Sequence, residues 1–124
     1  MRRRTAGLLA ALAALAGSVA VTTPASAEVN HPTCPKGAFC AYSEFDQGGT
    51  LLLATKGNWS GAVHNVKSTF NNGYRYPGAD HVQLGYTWVE WNYSTCIHYA
   101  PGPGEYATNW APITITSVTW RGEC

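Results

Sequence analysis

The stretch "CPKGAFCAYSEFDQGG" (residues 34–49) sets out, in order, a ring that Cys34 and Cys40 can close, a short apolar run and a Gly-rich connection. Within it "AFCAYS" (38–43) has the aromatic and small apolar residues of a strand, and "DQGG" has the residues that tolerate positive φ, so the strand leads straight into a turn. The same alternation recurs down the chain. Candidate strands follow at "TLLLA" (50–54), "KSTFNN" (67–72), "HVQLGYTWVEW" (81–91, a bent hairpin), "STCIHYA" (94–100) and "TITSVTW" (114–120). Between them "NNG", "YPGAD" and "APGPG" are turn material, because Gly supplies positive φ, Pro fixes φ and Asn tolerates the left-handed region. No window after Glu28 repeats apolar residues at helical spacing over three turns, so the expected class is all-β.

The first 27 residues read as a secretory signal: "MRRRT" is basic, "AGLLAALAALAGSVAV" is apolar, and "ASA" at Ala25 to Ala27 is a small-residue cleavage site. Gly17 and Ser18 interrupt the apolar run, which falls short of the roughly 20 residues a span requires, and no second such run follows. Residues 28–124 then form one small domain, expected to be extracellular. A monomer is the expectation for it.

All four cysteines, Cys34, Cys40, Cys96 and Cys124, lie in that domain. An even count in a short exported chain reads as two disulfides. Three pairings are open, and proximity favours Cys34 with Cys40, which leaves Cys96 for Cys124. In residues 28–124 five Lys and Arg face seven Asp and Glu, a formal charge of −2. With no basic stripe to neutralise phosphates, nucleic acid is not an expected partner.

The halves of the domain echo each other. Phe39-Cys40-Ala41-Tyr42 and Cys96-Ile97-His98-Tyr99 each run into a Gly-rich turn, an Asn-Trp pair follows (Asn58-Trp59, Asn109-Trp110), and then a Ser with Gly five residues on (Ser68 and Gly73, Ser117 and Gly122). Two β motifs packed face to face would bury both inner surfaces.

In "FCAYSEFDQGG", "LLLATKGNWSG" and "NVKSTFNNG" the order of residues resembles the first Greek-key motif of a βγ-crystallin. The frame "CPKGAFCAY", "NWSG" and "RGEC" is similar to secreted bacterial proteins of peptidase inhibitor family thirty-six, whose prototype inhibits thermolysin-like metalloproteases. The resemblance covers nearly all of residues 34–124. It implies a βγ-crystallin-like sandwich of two Greek keys and an extracellular protease as partner. It also implies a reactive bond between Cys96 and Ile97, with Thr95 and His98 flanking it, because Thr95-Cys96-Ile97 has the character of the prototype's loop. Ile97 would enter the enzyme's hydrophobic pocket, and a disulfide at Cys96 would limit the entropy lost on docking. This chain departs from the prototype in "YAPGPG", which lacks the second cysteine that closes a tight loop there.

The crystallin resemblance also raises calcium, at His64-Asn65-Val66-Lys67-Ser68-Thr69, with Asn65 and Ser68 as the candidate ligands. Ca²⁺ wants six to eight oxygens, and here His64 stands in place of one and Lys67 brings a positive charge, so a structural turn is the preferred reading. His31, His64, His81 and His98 show no two-ligand spacing, and neither Gly-x-Ser-x-Gly nor His-Glu-x-x-His occurs, so neither a transition metal nor an enzyme is expected. No cofactor is expected either.

Five Trp, seven Tyr and three Phe all fall in residues 28–124, more than a core of this size uses. Trp59, Trp88, Trp91 and Trp110 stand beside Gly, Asn or Glu, where their faces could stack on sugar rings or on a protein. A module that works by binding fits this composition, and a killer-toxin-like or cell-wall carbohydrate binder is the alternative to an inhibitor.

Overall fold

A computed structural model of the protein describes His31 and residues 33–124. The expected signal peptide lies outside the described residues. Six strands occur, β1 (Phe39–Tyr42), β2 (Leu51–Thr55), β3 (Trp59–Asn71), β4 (His81–Trp88), β5 (Trp91–Ile97) and β6 (Ala107–Arg121), with no helix among the described residues. Nothing described therefore forms a helix long and apolar enough to cross a membrane. The fold is all-β.

Hydrogen bonding runs unbroken through one antiparallel sheet in the order β2-β1-β3-β6-β4-β5. This order is a palindrome of two three-stranded halves: β1 pairs with β2 and β3, β4 pairs with β5 and β6, and β3 meets β6 at the centre. The Asn-Trp pairs of the sequence echo fall at the openings of β3 and β6. The other part of the echo falls differently, because Cys96-Ile97 ends β5, the topological partner of β2, whereas β1 corresponds to β4.

β1 and β4 stand three strands apart, about 14 Å in a flat sheet. Yet Phe39 and Ala41 of β1 share one core cluster with Val66, Val82, Leu84, Ile97, Ile113, Ile115 and Val118. The sheet is curled over its own apolar face. Register shifts along β3–β6, between Ser60 and Val63, Val63 and Val66, and Val66 and Ser68, supply the bends. Asn65 at φ 58° lies within this irregular part, and Pro112, which cannot donate to a ladder, lies on β6 between Ile113 and Asn109, the partners of Val66 and Ser68.

Because side chains alternate along a strand, the other face of β1 carries Cys40 and Tyr42 into a second cluster with Cys34, Ala38, Phe70 and Ala100. The Cys34–Cys40 bridge lies in this cluster, and the Cys96–Cys124 bridge ties the last residue to β5. Burial lowers the His31 pKa, which favours a neutral ring packed 5.1 Å from Phe70, and burial raises that of Tyr42.

The connection after β1 folds back with Asp46 and Gln47 at φ 54° and 58°. Ser68 holds it in place. Its hydroxyl donates to the Glu44 carbonyl at 2.6 Å and accepts the Gln47 N–H at 2.9 Å, while Asp46 and Asn109 exchange two bonds of 2.8 Å. Ser68→Ala strands a carbonyl and an N–H beside a fully buried position and is expected to cost about 1–3 kcal/mol in urea unfolding.

Candidate functional site

In β4 and β5 the two-residue turn Val89-Glu90 fixes the register Trp88↔Trp91, Tyr86↔Tyr93, Leu84↔Thr95 and Val82↔Ile97. Period-two alternation then places Val82, Leu84, Tyr86 and Trp88 on one face, with Ile97, Thr95, Tyr93 and Trp91 opposite them. At the base this face is core: Val82 and Leu84 are fully buried and Ile97 is 3 % exposed. Towards the tip it runs out past the rim of the core, leaving Tyr93 41 %, Trp88 46 % and Trp91 70 % exposed. The reverse face carries Gln83, Gly85, Thr87, Asn92 and Ser94, so the hairpin is apolar on one side only.

The rings along this face support one another. Tyr86 and Tyr93 stack at 5.5 Å with their planes 18° apart, Trp88 leans on Tyr93 at 6.4 Å, and Trp110 of β6 lies 4.9 Å from Tyr86. Together with Ala111 and Ile113, Tyr86, Trp88 and Trp110 line an open recess of about 190 Å³. Glu90 is the only Asp, Glu, Lys or Arg between His81 and Ile97. Recognition here rests on shape and stacking rather than on charge.

Two backbone features mark this surface. β4 runs close against β6 because Gly85 has no side chain: a Cβ there would stand 2.2 Å from the Ser117 hydroxyl oxygen. At the tip, Val89 is 79 % exposed and takes φ 58°, a region that costs a β-branched residue steric strain. A turn optimised for stability alone would place Gly, Asn or Asp there, and strained residues of this kind concentrate at binding and catalytic sites.

No known protein family, characterised protein or solved structure matches the chain.

Of the residues the inhibitor resemblance points to, Cys96 is bridged to Cys124, Thr95 is half-buried, and His98 follows directly after β5. Ile97 pairs with Val82 and packs in the core, so the Cys96–Ile97 bond sits at the base of the hairpin with its apolar side chain turned inward. In the folded hairpin Ile97 is 3 % exposed. The calcium candidates lie on β3 rather than in a turn: Asn65 is exposed, and the Ser68 hydroxyl is committed to Glu44 and Gln47. Lys67, between them, pairs with Glu44 at 3.1 Å.

Among the tryptophans, Trp59 and Trp110 belong to the scaffold, packing on the core, and Trp110 donates its indole N–H to Thr69. Trp88 and Trp91 are the displayed pair. Their partners Tyr86 and Tyr93 escape a search for loop aromatics because they sit inside strands. The signal for them is the mirror order Tyr-Thr-Trp and Trp-Asn-Tyr around Val89-Glu90.

Proposed function

We propose that this chain is a secreted binding protein that inhibits extracellular proteases, with the aromatic face and tip of the β4–β5 hairpin as its contact surface. The observation that carries the proposal is the core-facing row of the hairpin, which continues through half-buried Tyr86 into solvent as Trp88, Trp91 and Tyr93. Large rigid aromatics of this kind anchor protein interfaces. β5 is also an edge strand, so its outer row of N–H and C=O groups is open to an extended segment of a partner.

The resemblance of residues 34–124 to metalloprotease inhibitors supplies the target class, thermolysin-like enzymes. Val89, exposed at the tip, offers the branched apolar side chain that the resemblance assigns to Ile97. The Cys96–Cys124 bridge at the base restrains the hairpin, so little freedom is lost on docking. The palindromic halves support the finer fold, a βγ-crystallin-like pair of Greek keys, and the two disulfides support export.

The near-parallel stack of Tyr86 on Tyr93 favours a second reading, a flat platform for sugar rings of a cell wall. Titration of a thermolysin-like enzyme with the oxidised protein, alongside pull-down on chitin, glucan and peptidoglycan, separates the two. Inhibition at micromolar protein without retention on glycans is the expected result. Retention without inhibition transfers the face to the sugar reading, and neither result would remove both.

A further inference from the structure

We propose that His81, His98 and Glu123 form a binding site for a divalent transition metal, zinc by its donor chemistry, at the base of the β4–β5 hairpin. His81 opens β4 and His98 follows β5, one register step beyond the pair Val82↔Ile97. This step brings His81 Nε2 to 3.2 Å from His98 Nδ1. Glu123 Oε2, from the C-terminal tail, stands 3.4 Å from the same His81 nitrogen. Ligands bonded to tetrahedral Zn²⁺ at about 2.0–2.1 Å lie about 3.3–3.4 Å apart, so both separations suit neighbouring ligands of one ion.

The surroundings prepare His81 for this role. Asp80, itself buried, accepts the His81 Nδ1–H at 2.6 Å, and its second oxygen accepts the Tyr76 N–H at 3.1 Å. A carboxylate behind an imidazole fixes the tautomer and the ring orientation, the arrangement found behind metal-binding histidines. With the proton held on Nδ1, the Nε2 lone pair faces His98 Nδ1 at 3.2 Å, a hydrogen bond that a bound ion would replace.

His98 is held by its loop. Gly104, at φ 102°, backs onto its ring, and a Cβ there would fall 2.3 Å from ring carbons. The Glu123 side chain, 80 % exposed, is free to swing towards His98 and complete the set. The Cys124 sulfur also lies within 4.8 Å of the two imidazoles, but it is spent in the bridge to Cys96. Two imidazoles and a carboxylate suit Zn²⁺ and exclude Ca²⁺ and Mg²⁺, which require oxygen. The bound ion would pin the tail to the hairpin base.

Calorimetric titration of the chelator-stripped, oxidised protein with Zn²⁺ at neutral pH tests the site. One ion per chain is expected, with a rise in the thermal unfolding midpoint under excess Zn²⁺. Asp80→Asn should weaken binding roughly 10- to 100-fold, and His98→Gln and Glu123→Gln at least as much. Glu123 is exposed, so its variant keeps the test independent of folding, and His64→Gln should bind as the parent does. Absence of one-to-one binding at micromolar Zn²⁺, or undiminished affinity in either His98→Gln or Glu123→Gln, overturns the proposal.

Discussion

Removing the Cys96–Cys124 bridge by the double substitution Cys96→Ala/Cys124→Ala is expected to lower stability by about 3–4 kcal/mol, the entropy of a closed loop of this length. Small domains hold only about 5–15 kcal/mol in total, so the loss is a large fraction of the margin. Its consequences are local as well as global. The bridge joins an edge strand to the chain terminus, and without it β5 keeps ladder bonds to β4 alone along the sheet. The urea midpoint should fall by roughly 2–3 M. An unchanged midpoint would mean that the hairpin base is held by its β4 pairing and core packing without help from the tail.

Much of the scaffold is legible in the sequence because its signals are local. The strands at 38–43, 50–54 and 114–120 carry their own apolar residues and turn punctuation, and spacing alone favours the two cysteine pairs that form. The leading halves of β3 and β6 are different. "NWSGAVH" and "ATNWAP" contain Gly61 and Pro112 and lack a sustained apolar alternation, so they read as connections. They are strands because each pairs with the trailing half of the other, Trp59 and Ser60 with Val118 and Ser117, and Ala107, Thr108 and Asn109 with Phe70, Thr69 and Ser68, with register shifts absorbing the misfits. Long-range pairing overrides weak local preference.

The site divides in the same way. Trp88 and Trp91 are legible as displayed aromatics from the polar company they keep. The burial of Ile97 is not, since it follows from the register that sets it opposite Val82. That register depends in turn on Val89 accepting a positive φ in a two-residue turn, which its composition argues against. His81 and His98 show no ligand spacing along the chain for the same reason: their proximity is a product of the hairpin.

Trp88→Ala/Trp91→Ala is expected to weaken the proposed protease inhibition while leaving the domain folded. Both side chains are substantially exposed, and they belong to the part of the hairpin beyond the core. Substitutions at such positions change stability by about 0.5 kcal/mol or less. Truncating a central aromatic anchor of an interface, in contrast, costs about 2 kcal/mol or more, a factor of about 30 in affinity for each residue. Tyr86 and Tyr93 would retain their stack, so the variant isolates the displayed rings from the fold beneath them.

The most direct measurement is the inhibition constant of this double variant against a thermolysin-like protease, set beside its thermal unfolding midpoint. If the aromatic hairpin is the contact surface, inhibition weakens by at least about 30-fold while the midpoint stays with the parent. Inhibition of parental strength by the folded variant would contradict that assignment and place the contact elsewhere on the molecule.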